Sequence, residues 1–120
     1  MTRRLLVKAT AGSDDPERCN QAFTVAAAAV AAGAEVSLWL TGEAAWFAVP
    51  GRAEAFELEL ATPLSELLSV VLQGGQVTVC TQCAQRRGLV EGDLVLGVRI
   101  AGAPAFVEEA LTEGVQALVY

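Results

Sequence analysis

Residues 74–88, Gly74-Gly75-Gln76-Val77-Thr78-Val79-Cys80-Thr81-Gln82-Cys83-Ala84-Gln85-Arg86-Arg87-Gly88, read as a helix stop, a buried strand and a helix start in immediate succession. The glycine pair ends the helical pattern of 64–72. Val77-Thr78-Val79 is a β-branched run of the kind that fills a strand covered on both faces, and 81–87 returns to helical periodicity. A strand with a helix on either side is one step of a βαβ chain. Such chains build parallel sheets, because parallel neighbours need a long crossover between them.

The same alternation extends outward in both directions. Downstream, 98–100 is a brief strand, 104–112 a helix and 115–119 a closing strand. Upstream, Thr62-Pro63 caps the helix of 64–72. Residues 5–9 (Leu-Leu-Val-Lys-Ala) and 36–40 (Val-Ser-Leu-Trp-Leu) are strands, joined by an alanine-rich helix that runs to Gly33. Asp15 sits at the N-cap of that helix, with Pro16 at its first position and Glu17 in its first turn. Capping also accounts for Asp14. After 36–40, Thr41-Gly42-Glu43 turns the chain into a short Ala/Trp/Phe segment that ends at Pro50-Gly51, and Phe56, Leu58 and Leu60 alternate with glutamates as in an edge strand or an extended loop. Trp39 is expected against a helix, Trp46 and Phe47 at a subunit interface. One domain spanning 1–120 accommodates all of this, since 120 residues suffice for a single core and not for two of ordinary size.

Composition narrows the function. The chain is 53% hydrophobic and 18% charged, against roughly 25% charged in an average soluble domain, so its surface carries an apolar excess that oligomerisation would cover. A net charge of -6 with scattered cations opposes binding to nucleic acid or to anionic membrane. The uncharged stretch 19–34 is alanine-rich and too short to cross a bilayer, which takes about 20 apolar residues. Arg3 and Arg4 precede an apolar run that stops at Lys8, well short of an h-region, so a signal peptide is not expected. A cytoplasmic location follows as the expectation. Histidine is absent, so Cys-His and Ser-His hydrolases are set aside. Neither Gly12-Ser13 nor Gly74-Gly75 belongs to a phosphate-cradling fingerprint, so neither a nucleotide nor any other cofactor is expected.

Chemistry concentrates at Cys80 and Cys83. In open parallel sheets functional groups gather at the carboxyl ends of strands, where the amides of the next helix point outward. Cys80 stands at such an end, where free amides and the positive potential of Arg86 and Arg87 favour its thiolate. Thr81, Arg86 and Arg87 are therefore support residues. A Cys-x-x-Cys pair serves zinc sites, dithiol redox centres and sulfur carriers. Three cysteines without histidine make a four-ligand zinc site improbable, so no metal is expected. A thioredoxin-type centre would carry proline inside the motif and follow an early strand. Cys19, in the first turn of the first helix, is a further thiol that could face the same rim, although core packing is the commoner fate of a free cysteine.

Val77-Thr78-Val79-Cys80 followed by Arg86-Arg87-Gly88 resembles the DsrE/DsrF-like family, with its TusD and YchN types. Leu5-Val7-Lys8-Ala9-Thr10 before Asp15-Pro16-Glu17, Val36-Leu38-Leu40 before Thr41-Gly42-Glu43, and Gly97-Val98 through Gly102 fall in the same order, so the resemblance covers nearly the whole chain. It implies a three-layer α/β/α fold around a five-stranded, mainly parallel sheet, assembled into a trimer or hexamer. It also implies a sulfur-relay role, in which Cys80 accepts sulfane sulfur as a persulfide from a donor protein and passes it to an acceptor. Cys83 departs from the relay pattern. A neighbouring thiol could expel the bound sulfur as sulfide and leave a Cys80–Cys83 disulfide, making the chain a dithiol redox variant. A non-catalytic oligomeric binding module of the same fold is the third reading.

Overall fold

The computed structural model describes residues 3–120. Strands β1 (Arg4–Ala9), β2 (Glu35–Leu40), β3 (Gln76–Cys80), β4 (Val98–Ala101) and β5 (Val115–Val119) form one sheet in the order β4-β3-β2-β1-β5. Every neighbouring pair is parallel, so the expected α/β architecture is present with a sheet that is wholly parallel. Helices α1 (Pro16–Ala31), α2 (Arg52–Ala55), α3 (Leu64–Gly74), α4 (Thr81–Arg86) and α5 (Ala103–Leu111) lie in the crossovers. None of them is long and apolar enough to cross a membrane.

Strand order decides which face each helix covers. From β1 to β4 the chain steps across the sheet in one direction, so right-handed crossovers put α1, α3 and α4 on the same face, while the return from β4 to β5 puts α5 on the other. The first face is the core. Val7, Ala9, Val36, Leu38, Leu40, Val77 and Val79 meet Ala22, Phe23 and Ala26 of α1 and Leu64, Leu67, Leu68 and Val71 of α3. Small alanines let α1 lie close to the strands. Phe23 meets Phe47 edge-to-face at 6.1 Å, and Phe47 meets Phe56 in the same way at 5.4 Å. Phe47 is therefore a core residue rather than an interface residue. Trp46 is half-buried beneath the Arg52 guanidinium, 4.4 Å from its ring centroid.

The second face is thin and polar. Trp39 packs edge-to-face on Phe106 of α5 at 5.3 Å, as expected for a tryptophan against a helix. The Glu109 carboxylate accepts hydrogen bonds from Ser37 Oγ, Trp39 Nε1 (3.2 Å) and Arg99 Nη2 (2.6 Å), and Arg99 Nε donates to Thr78 Oγ1 at 2.7 Å. One carboxylate thus ties α5 to β2 and β4 directly, and to β3 through Arg99. No residue of α5 is fully buried, and four of the five residues of β5 are exposed.

Element ends follow local rules with one departure. Asp15 caps α1 by accepting from the Arg18 amide at 3.4 Å, and Gly33, at φ 87°, ends it in the left-handed region. Pro63, not Thr62, occupies the N-cap of α3, and no side chain caps that helix. The alternating stretch after α2 is a loop: Phe56 turns its ring into the core and Leu60 stands fully exposed at φ 60°. It pairs with neither edge strand, β4 or β5.

Because Glu109 is the polar anchor of α5, Glu109→Ala should lower stability by roughly 1–3 kcal/mol, the range for losing hydrogen bonds to a charged group. A fall in the urea midpoint with an unchanged slope is the expected result.

Candidate functional site

Cys80 is the last residue of β3 and the N-cap of α4, with extended backbone at φ -63° and ψ 132°. Strand alternation sends Val77 and Val79 into the core and Thr78 to the second face; Cys80 follows in phase with Thr78 at the end of the strand, where it also packs against the rim of the core. Of the three thiols only Cys80 is part-exposed; Cys83 is 8% exposed and Cys19 is wholly buried. Burial works to raise the Cys80 pKa. The backbone amides of Cys83 and Gln82, the Cys83 thiol and the Lys8 ammonium act the other way and prevail, so the thiol ionises below its ordinary value. The source of those amides is the first turn of α4, whose N–H groups have no partners within the helix.

Cys83 is held from a different direction. Its Sγ accepts a hydrogen bond from the Gly42 amide at 3.2 Å, and its carbonyl accepts one from Arg87 Nη1 at 3.0 Å. Arg87 in turn binds the Glu43 carboxylate through Nε (3.1 Å) and Nη2 (2.7 Å). The turn after β2 and the start of α4 are therefore clamped around the second thiol. Gly42 is required at its position: its φ is +54°, and a Cβ there would stand 2.6 Å from the Thr10 carbonyl oxygen.

The sequence-derived site residues divide accordingly. Cys80 and Cys83 come together. Thr81 opens α4 and its Oγ1 lies beside Gly102, the N-cap of α5, at 3.7 Å from a Cβ built on that glycine. Arg86 is exposed and Arg87 is engaged by Glu43; the cation that favours the Cys80 thiolate is Lys8. Cys19 stays apart, in the core on the α1 side, its pKa pushed up to about 12 by burial and by the charge of Asp14. Among the described residues no group of three or more cysteine or carboxylate side chains is placed to hold a metal ion. A groove of about 230 Å³ lined by Arg4, Ser37, Glu109 and Val115 lies toward the opposite ends of the strands and contains no thiol.

Three contributors were missed by sequence reading: Lys8, Gly42 and the Arg99–Glu109 pair. A charge inside an otherwise apolar strand was a signal for Lys8, since strands of parallel sheets are normally apolar throughout. Nothing local marks the other two, whose partners lie elsewhere in the chain.

Fold and site together define a parallel α/β protein presenting two adjacent thiols at the carboxyl edge of its sheet, one part-exposed and ionisable, the other buried. A family model matches residues 3–119, and the chain belongs to the DsrE/DsrF-like family. It is similar to the YchN protein of E. coli, at a TM-score of 0.78 and 18% identity over 100% of both chains. It is similar also to MTH1491 of Methanobacterium thermoautotrophicum, a protein of unknown function, at 0.69 and 15% over 100% of both. These two likenesses concern the fold. In sequence it is 28% identical over 104 residues to the uncharacterized protein MJ0760 of Methanocaldococcus jannaschii, matching 86% of this chain and spanning only 38% of that relative's length.

The Gly42 clamp is open to test. Gly42→Ala should destabilise the protein by roughly 1–3 kcal/mol through left-handed strain and the clash with Thr10. It should also speed labelling of Cys83 in the folded protein, measured by peptide-resolved mass spectrometry.

Proposed function

We propose that this chain is a sulfur-relay protein that accepts sulfane sulfur as a persulfide on Cys80 and hands it to an acceptor protein. Membership of the DsrE/DsrF-like family supports a role related to sulfur relay. The observation that carries the finer reading is the contrast among the three thiols, of which Cys80 alone combines exposure with a favoured thiolate. In the loading step the Cys80 thiolate attacks the outer sulfur of a donor persulfide, R–S–SH. The donor's S–S bond breaks, R–S⁻ leaves, and Cys80–S–SH forms with no net oxidation. In the unloading step an acceptor thiolate takes the outer sulfur and Cys80 departs as thiolate.

A dithiol reading has its own support, because the Cys83 thiol faces Cys80 closely enough to favour its ionisation. Attack by Cys83 on the inner sulfur of the persulfide would expel HS⁻ and form the Cys80–Cys83 disulfide. Such discharge makes Cys83 the resolving thiol and fits a reducing, cytoplasmic setting, where the disulfide would be returned to the dithiol.

The same reading takes the chain as one domain and as a subunit of a homo-oligomer, a trimer or hexamer. Strands of a parallel sheet are ordinarily covered on both faces. Here Leu118 and Val119 of β5 and Val107 and Leu111 of α5 are exposed, and neighbouring copies would cover them. Light scattering should give a mass above that of the monomer, reduced by Leu111→Glu.

Intact-mass measurement of reduced protein after exposure to a persulfide donor tests the function. A gain of one sulfur atom, removable by dithiothreitol and lost in Cys80→Ser, is expected. In Cys83→Ser the bound sulfur should persist several-fold longer. A two-hydrogen loss without any sulfur adduct would turn the assignment to the dithiol chemistry, and no mass change at all would leave a binding module.

A further inference from the structure

Lys8 is the only lysine in the chain; every other cationic side chain is an arginine. It stands inside β1, half-buried, in a place where a strand of a parallel sheet ordinarily carries an apolar residue. Register puts Lys8 beside Trp39, Trp39 beside Thr78, and Thr78 beside Arg99, so the four form a row across the face that α5 covers. Cys80 lies two residues beyond Thr78, in phase with it, at the rim where the strand ends. The ground between is filled by Trp39 (1% exposed) and Thr78 (0%), which leaves little water to screen a charge.

The Lys8 ammonium is 5.1 Å from the ring centroid of Phe106 on α5, and that helix starts at Ala103, two residues after Ala101, the register partner of Cys80. The stem of Lys8 is thereby directed along the face under α5. The remaining charged side chains near the two residues are already matched, and the Tyr120 carboxylate accepts from the Thr10 amide (3.0 Å) and hydroxyl (2.6 Å). Arg99 on β4 and Glu109 on α5 are 2.6 Å apart, and Arg87 at the end of α4 and Glu43 after β2 are 2.7 Å apart. Lys8 pairs with no carboxylate among the described residues. A half-buried cation with only an aromatic ring beside it is costly unless a negative charge is placed nearby. On this face the group able to supply that charge is Cys80.

Building on the reading of Cys80 as the sulfur-carrying residue, we propose that Lys8 is a positioning residue whose ammonium serves as counter-ion to the anionic sulfur at Cys80, first as thiolate and then as the terminal sulfur of the persulfide. A lysine suits this better than an arginine. The negative charge moves outward by one S–S bond, about 2 Å, on loading, and a compact ammonium on a flexible stem can follow it, whereas the guanidinium fork is shaped for carboxylate and phosphate.

Having a single lysine makes the test direct. Protein labelled with ¹³C at lysine Cε gives one side-chain signal of this type. In the reduced wild-type chain that signal should shift across the pH range in which Cys80 ionises, followed in parallel by peptide-resolved alkylation, and shift again when the persulfide is loaded. In Cys80→Ser the first shift should vanish. In a second arm, Lys8→Met should move the Cys80 alkylation midpoint to higher pH and slow alkylation at pH 7 by roughly three- to tenfold, as the thiolate fraction falls. Lys8→Arg should restore most of it. A lysine signal indifferent to the state of Cys80, or a Lys8→Met protein that loses stability while its Cys80 midpoint stays in place, overturns the proposal and leaves Lys8 as a prop for Phe106. A lysine signal that follows the thiolate in a chain that takes up no sulfur keeps the counter-ion role and removes the relay assignment instead.

Discussion

Packing of Val77 and Val79 between β2, β4 and the helices of the first face is the constraint on which the rest of the molecule depends. Both valines are fully buried, and the two-residue period of a strand then leaves no freedom for Thr78, which must face α5, or for Cys80, which follows in phase at the strand's end. A slip of β3 by one residue would put Thr78 and Cys80 into the alanine-lined core and the valines on the less covered face under α5. The cost of that exchange fixes the register. Since β3 ends where α4 begins, the same constraint presents the thiol to the first amides of the helix.

The two faces of the sheet have divided the work. The first, sealed by α1 and α3, holds nearly all the apolar packing and with it Cys19, whose thiol is kept neutral there. The second carries one short helix, pinned by hydrogen bonds to a single carboxylate and by the packing of Phe106 on Trp39. That economy leaves Cys80 reachable and keeps Lys8, Arg99 and Glu109 on the same side. It also leaves β5 and much of α5 bare, which is where the chain's apolar excess meets solvent.

The five strands were legible because each is a short β-branched or leucine-rich run between strong punctuation, such as Asp15-Pro16, Gly33 and Gly74-Gly75. Cys80 and Cys83 were legible because the motif sits directly at a strand end. What escaped reading depends on contacts distant in sequence. Glu109 joins Ser37 and Trp39 some 70 positions away, and the Gly42 amide meets Cys83 across 41. Arg86 and Arg87 were credited with the local positive potential because they are near in sequence, yet Lys8, from the first strand, is near in space. Phe47 looked like an interface residue because its segment is irregular, whereas its ring belongs to the aromatic stack beneath α1.

The account's central claim is that position at the sheet edge, and not cysteine chemistry in general, selects one thiol of three. Competitive labelling of the native protein at pH 7 with a limiting amount of a thiol-alkylating reagent, resolved by peptide, tests this most directly. Cys80 should be modified well ahead of Cys83, with Cys19 untouched until the protein unfolds. Modification of Cys83 or Cys19 at a rate equal to that of Cys80 would contradict the account.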